Sequence, residues 1–281
     1  AEAGEVVTLV RGRLLDLPYE IAVPDGALAT HLRDVYADSH DDEVVVAERF
    51  ELASAGPDEF VVTRDEERIA SAATAGRALG TLHWHLNRRI VATSRQPVLV
   101  HAGTVEVAGR AVLVVGASGA GKTTATTSLA MAGLGYLTDD ITAVQFDGRV
   151  TGAAKPIGLR APSLEVLGLT SEQLHSPPTD YLPGEGAQHF VAASSLGAPV
   201  ASSAEPAMIV FLSRELLAGR SEELRRSRSL GRLTEYAFDL ETAQAGGFEA
   251  LAELVKRSTC WAWGRSTPAD LVDFVTKNIH T

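Results

Sequence analysis

The feature that most constrains this chain is a glycine-rich segment that ends in lysine and threonine. It spans residues 116–123 and fits the pattern G-x-x-x-x-G-K-[ST]. An apolar, β-branched run, Ala111–Val115, precedes it, and Thr124–Ala132 continues after it without proline or glycine. We therefore predict a strand, a tight turn and a helix in direct succession.

A glycine-rich turn at the start of a helix is a binding site for phosphate. Glycines let consecutive backbone N–H groups face one anion, and the helix N-terminus adds partial positive charge. Lys122 is predicted to reach the terminal phosphates of a nucleotide, and Thr123 to place its hydroxyl on Mg²⁺. The predicted nucleotide-binding residues are Gly116, Ala117, Ser118, Gly119, Ala120, Gly121, Lys122, Thr123 and Thr124.

Two adjacent carboxylates, Asp139 and Asp140, follow a short predicted strand at Tyr136–Thr138. One can hold Mg²⁺, directly or through water, and the other can accept a proton from an attacking hydroxyl. Neighbouring side chains on an extended chain point to opposite sides, so we expect one of the two to face the phosphate. The sequence does not rank them, and a turn cap is the alternative role.

Missing motifs and composition exclude several classes of protein. No N-K-x-D or L-S-G-G-Q segment is present, which disfavours Ras-like GTPases and ABC-type ATPases. A net charge of −11 disfavours nucleic-acid binding, which needs a positive surface. A single cysteine, Cys260, and the lack of a bilayer-length apolar run predict a cytoplasmic protein without a membrane partner.

Composition changes along the chain predict two domains. Residues 1–96 are expected to form a small α+β domain for substrate recognition, with helices at Ala27–Asp38 and Asp65–Arg88 and a strand at Glu43–Phe50. Residues 97–281 would carry the nucleotide site. Within them, residues 177–206 are rich in proline, glycine, alanine and serine and predict a mobile loop.

The chain resembles the HPr kinase/phosphorylase family in three segments that occur in the same order, namely 101–116, 118–124 and 135–140. The resemblance implies an α/β fold with a P-loop kinase core of the type shared with phosphoenolpyruvate carboxykinase. It implies transfer of the γ-phosphoryl group of ATP to a hydroxyl, typically of serine, with Mg²⁺ as cofactor. It also implies that His101 lies near the phosphates, and that Asp139 and Asp140 act as base and magnesium neighbour.

The chain departs from that family in residues 154–160, where Lys155 and Arg160 replace the family's own signature. This departure argues against HPr as the acceptor and against reverse phosphorolysis. It looks more like HPr-kinase-related enzymes encoded beside peptide natural products, which include kinases for a serine of a ribosomally made precursor peptide. The alternatives are a kinase for a small hydroxylated metabolite and a nucleotide-switched ATPase without an acceptor.

Three further groups of basic residues have weaker patterns. Lys155, Arg160 and Arg214 are predicted donors to the transferring phosphoryl group or to the acceptor, with ordinary surface charge as the alternative. His83 and His85 stand two apart on a predicted helix and so face different directions, which disfavours one shared metal. The arginines of residues 220–232 could bind an acidic peptide or form a solvated face.

Taken together, the predicted site has three sets of residues. The predicted catalytic residues are Asp139, Asp140, Lys122, His101 and Lys155, the predicted substrate contacts are Arg160 and Arg214, and the predicted metal ligands are Thr123 and Asp140. Members of the family it resembles are often oligomers, but no interface can be identified from this sequence.

Overall fold

The computed structural model describes residues 7–56, 58–174, 179–180, 186–238 and 246–279. This part of the chain is an α/β protein with three sheets and eight α-helices. The strands are β1 Val7–Leu14, β2 Leu17–Pro24, β3 Glu48–Gly56, β4 Glu59–Arg64, β5 Glu67–Ala72, β6 Val98–Val107, β7 Arg110–Val115, β8 Gly135–Thr138, β9 Ile141–Val144, β10 Val150–Gly152, β11 Ile157–Arg160, β12 Thr179–Asp180, β13 Ala187–Val191, β14 Ser203–Ser213, β15 Ser221–Glu223, β16 Ala237–Phe238 and β17 Thr259–Gly264. The helices are α1 Ala27–Val35, α2 Ala75–Thr93, α3 Lys122–Met131, α4 Ala161–Leu167, α5 Ser171–Leu174, α6 Arg226–Thr234, α7 Gly247–Lys256 and α8 Pro268–Asn278.

The first sheet has five strands in the order β1-β2-β3-β4-β5. Burial alternates along β1, so one face of the sheet is covered and the other meets solvent. Helices α1 and α2 contribute Leu32, Leu79 and Leu82 to the hydrophobic cluster on the covered face. At the start of α2, the Thr74 side chain accepts a hydrogen bond from Arg77 N at 3.2 Å, which caps the helix.

Three sequence predictions of secondary structure are wrong in part. The predicted helix at Asp65–Arg88 begins only at Ala75, because Asp65 and Glu66 adopt left-handed φ values of 48° and 70° and form the turn between β4 and β5. The strand expected at Glu43–Phe50 begins at Glu48. Residues 177–206, expected to be a mobile loop, contain β12, β13 and the start of β14, while 177–178 and 181–185 lie outside the described residues.

The second sheet runs β10-β9-β6-β7-β14-β17-β15, with β8 and β16 also paired to β6. Its centre is parallel: β14 pairs in parallel with both β7 and β17. Helices α3 and α8 pack on one face, and α6 and α7 on the other. Both faces are therefore covered, which accounts for the continuous apolar run of β7. The predicted turn at Ala108 and Gly109 is present, with positive φ at both residues.

A third sheet, β11-β13-β12, lies beside the first. Phe190 of β13 belongs to the hydrophobic cluster under the N-terminal sheet, and so do Leu99 and Ile141 of the second sheet. Because one cluster takes side chains from both sides of residue 96, the two parts of the chain pack directly together. The division into two domains after that residue stays a prediction. Among the described residues, no helix is long and apolar enough to cross a membrane.

His83 lies inside this shared cluster. Its ring Nδ1 is 2.7 Å from Tyr36 Oη, and its ring centroid is 4.1 Å from that of Phe190. Burial, with smaller contributions from the nearby charges of His31 and Lys155, holds the pKa of His83 well below its usual value. His85 instead lines the surface cleft described below, so the two histidines do face different directions, as their spacing predicts.

We expect the free energy of unfolding to fall as the pH is lowered below about 6.5, the ordinary pKa of histidine. Folded His83 stays neutral there, whereas the unfolded chain binds the proton, so the unfolded state is favoured by up to about 1.4 kcal/mol per pH unit. Urea unfolding at pH 7.5, 6 and 5 measures the slope. His83→Gln should flatten it, and an equal slope in both proteins would contradict the assignment.

Candidate active site

The glycine-rich loop connects β7 to α3 as predicted, with Lys122 as the first residue of the helix. Gly119 and Gly121 have left-handed φ values of 70° and 98°, which other residues rarely adopt. A Cβ built at Gly116 would lie 3.1 Å from the Cβ of Ala120 and 3.2 Å from that of Leu212. The loop therefore requires glycine for its conformation at two positions, and larger residues would crowd a third.

Lys122 folds back over this loop. Its Nζ donates a hydrogen bond to Gly116 O at 2.8 Å, with Ala117 O at 3.4 Å, and the residue is only 7% exposed. Burial lowers the pKa of Lys122, while the charges of Asp140 and Asp139 oppose that shift. The two aspartates are thus close enough to act electrostatically on the loop lysine.

The threonines that follow Lys122 have different surroundings. Thr124 Oγ1 donates a hydrogen bond to Ser163 Oγ at 2.9 Å, which connects α3 to α4. Thr123 is partly exposed in the first turn of the helix. A Cβ built at Gly103 of β6 would lie 2.0 Å from Thr126 Oγ1, so α3 packs very closely on the sheet here. This close packing fixes the position of the helix N-terminus.

The turn between β8 and β9 presents the two aspartates. Thr138 Oγ1 lies 3.3 Å from Asp140 N and 3.2 Å from Ile141 N and accepts from both, a local bond that fixes the turn. Asp139 is 4% exposed, and its Oδ1 accepts from Tyr136 Oη at 3.2 Å and lies 3.0 Å from Lys155 Nζ. Asp139 is therefore enclosed by protein.

Asp140 is more accessible. Its side chain is 29% exposed, with Oδ1 at 2.7 Å from His101 Nδ1 and Oδ2 at 3.6 Å from Lys155 Nζ. Burial alone would raise the pKa of Asp140, but the charge of Lys155, the hydrogen bond and charge of His101, and Lys122 together hold it well below its usual range. Asp140 is consequently ionised at neutral pH.

Lys155 bridges the two carboxylates, at 3.0 Å from Asp139 Oδ1 and 3.6 Å from Asp140 Oδ2. Its side chain is 9% exposed. Tyr136 Oη also donates toward Lys155 O at 3.3 Å, so Tyr136 and Lys155 together fix Asp139. This geometry makes Lys155 a positioning residue. Its predicted contact with a transferring phosphoryl group stays a prediction.

The two arginines predicted from the sequence lie in different places. Arg214 follows the end of β14, and a Cβ built at Gly119 would be 3.6 Å from its Nη2, so the exposed guanidinium lies against the glycine-rich loop. The Arg160 guanidinium lies 3.1 and 3.2 Å from the side-chain amide of Gln188 on β13. The structure thus places Arg214 at the loop, whereas Arg160 ends β11 and contacts its neighbour β13 within the third sheet.

A cleft of about 890 Å³ opens beside Asp140 and His101. Helix α2 forms its opposite wall, with Trp84 and Arg88 among the lining residues, and Phe238 lies edge-on to His101. This wall is not predicted from the sequence, since α2 carries no catalytic motif. The aromatic and basic residues four apart on α2 were the available signal, because such a pair shares one helix face.

A smaller cavity of about 90 Å³ adjoins the other side of the loop. Gly121 and Thr124 line it together with Trp263 and Arg265, which come from the end of β17 and the segment after it. Open space therefore adjoins the glycine-rich loop on the side that has an aromatic and a basic side chain. The larger cleft is lined by Asp140 and not by the loop itself.

No family model matches the chain, and no curated protein matches it in sequence. Among solved structures, the chain is similar to the HPr(Ser) kinase/phosphatase from Coxiella burnetii. The match is 16% identical, covers 45% of this chain and 77% of that one, and has a TM-score of 0.26. The relationship at this level is distant, and neither an acceptor nor the role of any residue follows from it.

Proposed function

We propose that this protein is a phosphotransferase that moves the γ-phosphoryl group of ATP, with Mg²⁺, to a hydroxyl. The proposed acceptor is a serine of a ribosomally made precursor peptide or of a protein. The observation that supports this most is the ionised Asp140, which is 29% exposed and lies 2.7 Å from His101 in a site shared with Lys122. A carboxylate held between a phosphate-binding turn and an open cleft can meet an incoming hydroxyl.

The loop would hold the phosphates of ATP. Backbone N–H groups of the glycine-rich turn and of the N-terminus of α3 would bind the phosphates, and Lys122 and Arg214 add positive charge at the loop. The small cavity lined by Trp263 and Arg265 is open space next to the same loop, where the nucleoside part of ATP can extend. Positioning and charge of this kind supply most of the catalysis in phosphoryl transfer.

The residues present fit a magnesium ion. Mg²⁺ prefers oxygen ligands and is usually bound by one or two carboxylates together with substrate phosphates. Thr123 offers a partly exposed hydroxyl that would bind the ion directly. The ionised carboxylate of Asp140 would bind it through a coordinated water, so the carboxylate itself stays available to the acceptor hydroxyl. When bound beside ATP, Mg²⁺ offsets negative charge on the phosphate oxygens.

Asp140 is the better candidate for the base, because Asp139 is 4% exposed and already bonded to Lys155 and Tyr136. A low pKa makes Asp140 a weak base, but a loose transition state needs little proton removal before the phosphoryl group moves. The role of Asp140 is then to orient the hydroxyl and receive its proton. His101 and Lys155 hold Asp140 in place, and Asp139 in turn holds Lys155.

One observation favours a second candidate, a kinase for a small hydroxylated metabolite. The cleft volume of about 890 Å³ falls within the range typical of small-molecule sites. Both candidates use the same chemistry at Asp140 and differ only in what occupies the cleft.

The test is ATP consumption with and without serine peptides or hydroxylated metabolites, followed by intact mass of the acceptor. We expect a gain of one phosphate on the acceptor and faster ATP consumption in its presence. Turnover that is independent of any acceptor, and unchanged in Asp139→Asn and Asp140→Asn, would contradict a kinase and favour a nucleotide-switched ATPase.

A further inference from the structure

The cleft beside Asp140 is lined by positive charge, although the chain as a whole has a net charge of −11. Among the described residues, the titratable lining consists of three arginines, Arg64, Arg88 and Arg89, two histidines, His85 and His101, and one carboxylate, Asp140. Asp140 is the one carboxylate in that described lining, and it is already paired with His101 at 2.7 Å. The wall that an acceptor would meet is therefore basic.

The three arginines differ in how far acidic neighbours neutralise them. Arg89 Nε lies 2.9 Å from Glu48 Oε1, so its charge is paired. Arg64 Nε is 4.0 Å from Asp65 Oδ2, at the limit of an ion pair. Arg88 lies over the ring of Trp84 with Cζ 4.7 Å from its centroid, and no carboxylate of the described chain is within ion-pair distance of it.

The positive field reaches into the cleft. Burial, followed by the charges of Arg88 and Arg64, lowers the pKa of His85, which lines the same wall. The guanidinium groups of Arg88 and Arg64 therefore both contribute positive potential at the position of His85. The charges of Arg88 and Arg64 therefore favour a negatively charged segment in this cleft.

One wall of the cleft is long enough to contact several residues of an extended chain. Helix α2 lines it from Trp84 to Ala92, which is about 12 Å along the helix axis. An extended peptide advances about 3.3 Å per residue, so this wall can contact roughly four consecutive residues.

We propose that the cleft selects an acidic peptide segment next to the phosphorylated serine, with Arg88 as the main contact. The serine hydroxyl would lie at Asp140, and the acidic side chains of the peptide would lie along α2 against Arg88 and Arg64. This inference rests on the proposed function and names its acceptor class.

Direct binding tests the inference without requiring catalysis. Three fluorescent peptides of equal length carry alanine in place of the acceptor serine, flanked by aspartate, asparagine or lysine. Anisotropy gives the affinity of each for the wild-type protein, for Arg88→Glu and for Arg77→Glu. Arg77 is an exposed arginine of the same helix that does not line the cleft, so it is a matched control for the charge reversal.

We expect the aspartate peptide to bind at least about tenfold more tightly than the asparagine peptide, with the difference shrinking at high salt. Arg88→Glu should remove that preference, and Arg77→Glu should retain it. Equal binding of the three peptides, no detectable binding, or equal losses in the two variants would overturn the inference. Acidic-peptide binding without any phosphoryl transfer to the serine form would instead refute the proposed function alone.

Discussion

Lys122→Met is expected to reduce phosphoryl transfer by about a hundred- to a thousandfold, the usual effect of removing one preorganised donor from a developing charge. The ammonium of Lys122 is buried, donates to Gly116 O at 2.8 Å, and is the cation that the loop holds closest. Methionine retains most of the aliphatic volume, so the packing around β7 and α3 should survive. Steady-state transfer rates measure the loss of catalysis, and calorimetry measures the loss of ATP affinity.

The matched control is Lys256→Met on α7, where the exposed lysine forms only a helix-surface pair with Glu253 at 2.9 Å. It should leave transfer and ATP affinity within about twofold of wild type, since such surface pairs contribute little. If Lys122→Met retained wild-type ATP affinity and transfer, the loop would not be a phosphate site.

Asp140→Asn should lower kcat by about a hundredfold or more, because the amide cannot accept the proton of an acceptor hydroxyl. The substitution is nearly isosteric, and Asp140 is 29% exposed, so the fold should tolerate it. ATP binding without Mg²⁺ should be retained, because the loop and Lys122 are unchanged. Single-turnover transfer at saturating ATP isolates the chemical step.

Asp139→Asn provides the contrast. It weakens a buried ion pair with Lys155, and we expect a loss of about 2 kcal/mol in the free energy of unfolding, since Asp140 remains 3.6 Å from the ammonium. Asp140→Asn should destabilise the protein less and inactivate it more. If Asp139→Asn instead lost more activity and Asp140→Asn lost more stability, the roles that we assign to the two aspartates would have to be exchanged.

Sequence patterns predicted correctly those elements whose conformation is determined by their own residues. The strand, turn and helix around residues 116–123 follow from an apolar run, glycines and an uninterrupted helical segment, and the structure contains them. The turn at Ala108 and Gly109 is a similar case. The helix expected at Asp65–Arg88 failed at its start although Ile69 and Ala72 have helical spacing, because Asp65 and Glu66 form a turn after which the chain pairs with β4 as a strand.

The ranking of the aspartates needed the tertiary structure. The alternation of side chains along an extended chain predicts only that Asp139 and Asp140 point in opposite directions. Asp139 is enclosed by Tyr136 and Lys155, and these contacts depend on the packing of segments that are distant in the sequence. The cleft beside Asp140 also depends on tertiary structure, because its walls come from α2, β6 and the turn before β9. No sequence motif marks such a junction.

The most direct measurement follows radioactive phosphorus from ATP to an acidic serine peptide. With label in the γ position, we predict that the peptide becomes labelled and that Lys122→Met and Asp140→Asn nearly abolish the signal. With label in the α position, the peptide should stay unlabelled. Release of γ-label only as inorganic phosphate, at the same rate with and without the peptide, would contradict phosphoryl transfer to a hydroxyl.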